Sequence, residues 1–131
     1  MIGLDTNVLV RCVMQDDPKQ SPKAGKLIDA LDGTQRGFIS VVSVVETVWV
    51  LCACYDLNRE QVTQALDLLL HANQLSAQQA DQVLRARRVL ASSKPYFADC
   101  LIERSAAQAG CKKTMSFDVG ATQHAGMTPI T

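Results

Sequence analysis

At 131 residues the chain has room for one hydrophobic core, and it is read as a single domain over residues 1–131. Hydrophobic residues make up 47% and charged residues 20%, an ordinary globular balance that excludes a disordered or fibrous chain. Thirteen basic side chains match thirteen acidic ones, so bulk charge advertises no nucleic-acid partner and any basic surface must be local.

Met1 to Leu4 is a short apolar run ending at Asp5, suited to a buried strand. Asn7 to Met14 reads as a helix that Asp16-Asp17-Pro18 ends. Ser21 to Leu31 has helical spacing (Ala24, Leu27, Ile28, Leu31) and closes at Gly33. Phe38 and Ile39 begin a second strand. Val41 to Ala53 is ambiguous. Its valines favour a strand, whereas its length and a Ser43–Glu46 capping box favour a helix. Gln61 to His71 is an amphipathic helix with Val62, Ala65, Leu66, Leu69 and Leu70 on one face. Ala77 to Leu90 is another, with Arg85, Arg87 and Arg88 near its end. After Pro95 a helix runs from about Phe97 to Ala109 and stops at Gly110. Thr114 to Phe117 is a short strand next to Asp118, and Met127 to Ile130 reads as a last one. Strands separated by helices imply an α/β fold with a parallel sheet.

The opening MIGLDTNVLV has no basic leader and Asp5 interrupts its apolar run, so no secretory signal is expected. No stretch approaches the roughly 18 apolar residues of a membrane span, so no membrane partner is expected and the expected location is the cytoplasm. Five cysteines, an odd number in apolar context, read as reduced and buried thiols.

Asp5 and Asp118 each follow a strand-like run. Open parallel sheets place their ligand crevice beyond the carboxyl ends of the strands, so these acids can converge although distant in sequence. Asp99, at a helix start, and Glu46, in or near another helix, can reach the same place. Clustered carboxylates repel, and a hard divalent cation such as Mg²⁺ or Mn²⁺ resolves the conflict. Such an ion polarises a phosphoryl group and acidifies water, so the chemistry implied is phosphodiester hydrolysis. Each acid also has a plain structural reading. Asp5 and Asp118 suit helix caps, Glu46 suits the Ser43 box, and Asp99 suits a helix N-terminus. Against that stands Glu46 in the apolar run VVSVVETVWVL, where a buried charge needs a partner or a metal.

The segments MIGLDTNVLVR, GFISVVSVVETVWVL, FAD before CLI, and SFD resemble the four motif blocks of PIN-domain proteins, in family order and across nearly the whole chain. They are particularly similar to the VapC-type toxins of bacterial toxin–antitoxin pairs. The resemblance implies a three-layer α/β/α sandwich with a mainly parallel central sheet, and makes Val41–Ala53 mainly helix. It implies metal and catalytic roles for Asp5, Glu46, Asp99 and Asp118, with Thr6 and Asn7 ordering the site. It further implies a Mg²⁺- or Mn²⁺-dependent endoribonuclease, a homodimer, silenced by a cognate antitoxin. Two alternatives stand beside it: a PIN nuclease of RNA processing, and a binding module that kept the fold and lost catalysis. One departure is Val119-Gly120, where similar proteins often carry a charge after the last acid. Glu103, four residues after Asp99 on one helix face, serves either the metal's surroundings or a salt bridge.

His71 and His124 lack a matching third metal ligand. Arg11, Arg85, Arg87, Arg88, Lys112 and Lys113 are candidate phosphate contacts, with a solvated helix face as the plainer reading for Arg85–Arg88. Trp49 reads as core or dimer contact. The chain has no phosphate-binding Gly loop, GxGxxG or GxSxG, which argues against a triphosphatase, a dinucleotide binder and a serine hydrolase.

Overall fold

The computed structural model describes residues 1–92 and 96–131. The chain packs as two compact units, Met1–Ala80 and Asp81–Thr131.

The first unit runs β1 (Ile2–Gly3), α1 (Thr6–Met14), α2 (Gln20–Asp29), β2 (Gly37–Ile39), α3 (Val41–Ala53), α4 (Arg59–His71) and β3 (Leu75–Ala77). Its sheet has the order β1-β2-β3 and both pairings are parallel, with Ile2 opposite Gly37 and Gly37 opposite Leu75. A side chain at Gly37 would crowd the core, because a Cβ would stand 2.7 Å from Leu4 Cδ1 and 2.9 Å from Leu31 Cδ1 and those leucines would have to move. α1 packs on α2 and α3, and α4 packs on α3 and β3. The core joins Leu9, Ile39, Val44, Leu51, Val62 and Leu66, all almost fully buried.

The ambiguous segment is helix throughout. Helical period sorts its apolar residues into two faces. Val44, Val48 and Leu51 are buried, while Val42 and Trp49 are each 65% exposed. Glu46 lies on the exposed face, which corrects the reading of a buried charge. Its capping box is corrected too. The N-cap is Ser40, whose Oγ accepts from Ser43 N–H at 3.1 Å, so the helix starts three residues earlier and Glu46 lies beyond its first turn. α4 does carry a box, formed by Asn58 and Gln61. A further correction falls at Ala77, expected to open a helix. Leu75–Ala77 pairs with β2 as a third strand, and the helix begins at Ala80. Three residues are too few to show alternation.

The second unit holds α5 (Ala80–Ser92, beginning at the boundary), α6 (Phe97–Gln108), β4 (Met115–Ser116), α7 (Val119–His124) and β5 (Thr128–Pro129). β4 and β5 pair in parallel. Val83, Ala86, Phe97, Cys100, Leu101 and Ala121 are its buried apolar residues nearest to zero exposure. Gly110, at φ 96°, ends α6 in the left-handed conformation that glycine takes without strain. Pro95, expected just before this helix, lies outside the described residues. Helices alternating with strands that pair only in parallel, among the described residues, make this the α/β class expected.

The thiols depart from expectation. Among the free cysteines only Cys100 is buried; Cys54 and Cys111 are exposed. No helix among the described residues is long and apolar enough to cross a membrane.

Candidate metal centre

In the first unit Asp5 stands two residues beyond β1 as the N-cap of α1. Its Oδ1 accepts from Thr6 N–H at 2.8 Å. The Thr6 hydroxyl donates to Glu46 Oε1 at 3.1 Å. One buried threonine therefore bonds both carboxylates, through its backbone and its side chain, and brings the strand-end acid to the middle of α3. Asn7 is exposed and lines a hollow of about 300 Å³ together with Arg11, Gln20 and Lys23.

In the second unit Asp118 lies two residues beyond β4 and N-caps α7. Its Oδ1 accepts from Ala121 N–H at 3.0 Å. Asp99 sits in the first turn of α6, half-buried. Partial burial, and then the charge of Asp118, push the Asp99 carboxyl above its ordinary value. A carboxylate that only complemented a helix N-terminus would be pulled the other way. The shift thus records two acids held near one another, with burial the larger cause.

The structural readings of Asp5 and Asp118 as caps are correct as far as they go. Each cap uses Oδ1, and Oδ2 accepts no hydrogen bond among the described residues. Each unit thus presents a pair of acids, and carboxylate oxygens are the donors that Mg²⁺ and Mn²⁺ prefer. Within neither unit do the described residues form a group of three or more His, Cys, Asp or Glu able to hold a metal. Glu103 is engaged by the next residue. Arg104 Nη2 donates to its Oε1 at 2.7 Å and Nε donates to Oε2, a two-bonded pair of the salt-bridge kind. Burial raises the thiol of Cys100, with the charges of Asp99 and Glu103 adding to it.

Both histidines have local partners. His71 Nε2 lies 3.9 Å from Asp67 Oδ1, and His124 stacks on Tyr96 with ring centroids 5.0 Å apart. Arg11 is held inside its own unit, donating to Gln20 at 2.8 Å and to the Tyr55 hydroxyl at 3.1 Å. Trp49 is not core, being 65% exposed. Arg104 was not singled out in the sequence, yet it joins Arg85 and Arg88 along one groove. The i,i+3 spacing of Arg85 and Arg88 was the available signal; nothing local marked Arg104 as their neighbour.

Comparison with known families matches the PIN domain over residues 2–126. No curated protein matches the chain.

Proposed function

The chain belongs to the PIN-domain family, generally a family of nucleases, and we propose that it is a Mg²⁺- or Mn²⁺-dependent endoribonuclease. The observation that carries this reading is Asp99 in the first turn of α6 beside Asp118, where partial burial and then the Asp118 charge penalise ionisation of Asp99. Such an arrangement has a use if a cation binds there.

Asp5, Glu46, Asp99 and Asp118 are the proposed metal ligands. A divalent ion bound by the acids of either unit would supply Lewis acidity toward a phosphoryl oxygen and would acidify water. The chain's own part is positioning. Thr6 aims Glu46, and the starts of α1 and α7 hold Asp5 and Asp118 through their N–H groups. Asp99 would hold a metal only in its ionised form. No side-chain nucleophile would be required, because water would be the attacking group.

The biological reading is the toxin of a VapBC-type pair, working as a homodimer in the cytoplasm and silenced by its antitoxin. The exposed Val42, Trp49 and Leu68 on α3 and α4 offer apolar surface for assembly. Exposed free thiols at Cys54 and Cys111 suit a reducing compartment. The test is RNA cleavage by wild type and Asp99→Asn in Mg²⁺, Mn²⁺ and EDTA, with the cut ends mapped in cells after induction. Metal-dependent cutting lost in the variant supports the reading. A folded wild type that cuts no RNA with either metal makes it a binding module instead.

A further inference from the structure

The second unit contains a groove of about 570 Å³ that the carboxylates do not account for. Arg85 and Arg88 line it from α5, Glu103 and Arg104 from α6, and His124 and Gly126 from the end of α7 and the turn after it. Glu103 is spent on Arg104, so its charge is neutralised inside the groove. Arg85 and Arg88 are exposed and have no carboxylate partner among the described residues. They stand at i,i+3, on one helix face. The groove is therefore cationic in a chain whose net charge is zero, so its charge is local rather than a share of a general excess.

We propose that this groove binds a phosphate of single-stranded RNA, through the guanidinium groups of Arg85 and Arg88. The proposal rests on the nuclease reading for its choice of ligand and deepens it by naming where the strand lies. Three features favour it over a solvated helix face. Guanidinium forks match phosphate oxygens in pairs. The groove is larger than one phosphate needs and leaves room for the adjoining sugar. The imidazole of His124, stacked on Tyr96, puts an aromatic ring beside the cations. A cationic track with aromatic rings along it is the pattern that holds single strands.

The groove also has a fixed place relative to the carboxylates of its own unit. Glu103 follows Asp99 by one helical turn on the same face of α6, roughly 6 Å along the axis. The α6 wall of the groove thus comes within about one turn of Asp99, which suits a strand whose next phosphate meets the acids. Arg85 and Arg88 would then set which linkage of the strand meets the acids.

The test measures binding of a fluorescent single-stranded RNA by anisotropy, in EDTA, over a range of salt. Metal-free conditions separate binding from cleavage. Arg85→Gln/Arg88→Gln should weaken binding roughly tenfold and flatten the salt dependence by about one unit of slope, as expected for the loss of one or two phosphate contacts. Lys19→Gln/Lys26→Gln removes the same charge from α2 and should keep the wild-type slope. Arg85→Lys/Arg88→Lys should keep the slope while losing part of the affinity, because an ammonium lacks the fork. An Arg85→Gln/Arg88→Gln protein that retains the wild-type slope while the wild type cuts RNA overturns the groove and leaves the nuclease reading intact. Groove-dependent binding by a protein that never cuts overturns the nuclease reading and leaves the groove. A poly-glutamate peptide bound as tightly as RNA, with the same loss in the variant, overturns the phosphate assignment in favour of an acidic protein partner.

Discussion

Replacing Asp5 separates its capping role from its proposed metal role, because the two respond differently to the same pair of substitutions. As N-cap of α1, Asp5 gives one oxygen to Thr6 N–H at 2.8 Å. Its backbone carbonyl accepts from Val8 N–H at 3.0 Å and Leu9 N–H at 3.3 Å, and a side-chain change leaves those bonds in place. Asn keeps an acceptor in the same position and caps about as well as Asp, whereas Ala removes it at a cost of about 0.5–2 kcal/mol. At this chain length 1 kcal/mol moves the melting temperature by roughly 3–5 °C. Asp5→Ala should therefore melt several degrees below wild type in EDTA, and Asp5→Asn should stay close to it. Cleavage should not follow that order. Both variants lack the carboxylate charge, so both should lose activity by orders of magnitude in Mg²⁺ and in Mn²⁺. The assays are thermal melting in EDTA and initial rates on one RNA substrate. An Asp5→Asn protein that cuts as fast as wild type would sink the metal role, as would rates that simply track stability across the two variants.

Thr6→Val removes the hydroxyl that bonds Glu46 while keeping the buried shape. It should cost about 0.5–1.5 kcal/mol by thermal melting and slow cleavage less than Glu46→Gln does. Gly37→Ala forces a methyl into Leu4 and Leu31 and should cost about 1–3 kcal/mol in urea unfolding, with metal-dependent cutting kept where the fold survives. The raised Asp99 carboxyl binds its proton more tightly folded than unfolded. Its contribution is fully present below the unfolded value of 3.8 and is lost as pH rises through the folded one. In EDTA, Asp99→Asn should therefore gain on wild type as pH rises over that window, and a constant difference between their urea midpoints would refute the shift. Light scattering at micromolar concentration should show a two-fold assembly that Trp49→Glu disrupts, and a wild-type monomer would refute it.

Much of this architecture can be read in the chain because its elements announce themselves locally. Gln61–His71 shows its buried stripe, and the observed helix Arg59–His71 buries Val62, Ala65, Leu66 and Leu69. Asp5 and Asp118 are visible because a carboxylate after a short apolar run is both a strand end and a cap. The losses have physical causes. The strand Leu75–Ala77 is stabilised by pairing with β2 rather than by any pattern of its own. Ser40 and Ser43 are both able to cap, and the choice between them turns on the extended backbone of Ser40 (φ −70°, ψ 156°). Glu46 looked buried because its neighbours are apolar, yet helical period turns Val42, Glu46 and Trp49 outward together. The groove of Arg85, Arg88 and Arg104 needed the packing of two helices before it could be seen.

Capping and the proposed metal binding, set against each other in the sequence, are compatible uses of one side chain. A strand end followed at once by a helix start points the first turn's N–H groups at whatever side chain occupies the cap. An acid there is held in one orientation. That is what a hard-cation ligand needs: a fixed direction and a second oxygen left over. Asp5 and Asp118 both meet that description, each with Oδ1 on an amide. Glu46 and Asp99 come from within helices and lack such a cap. Glu46 is held instead by the Thr6 hydroxyl, and Asp99 has its acidity suppressed by burial and by Asp118. In each unit one acid is fixed by a helix start and the other by what surrounds it. The acids that the fold itself orients should therefore tolerate Asn structurally, and Asp99 should be the one whose neutralisation relieves the apo protein.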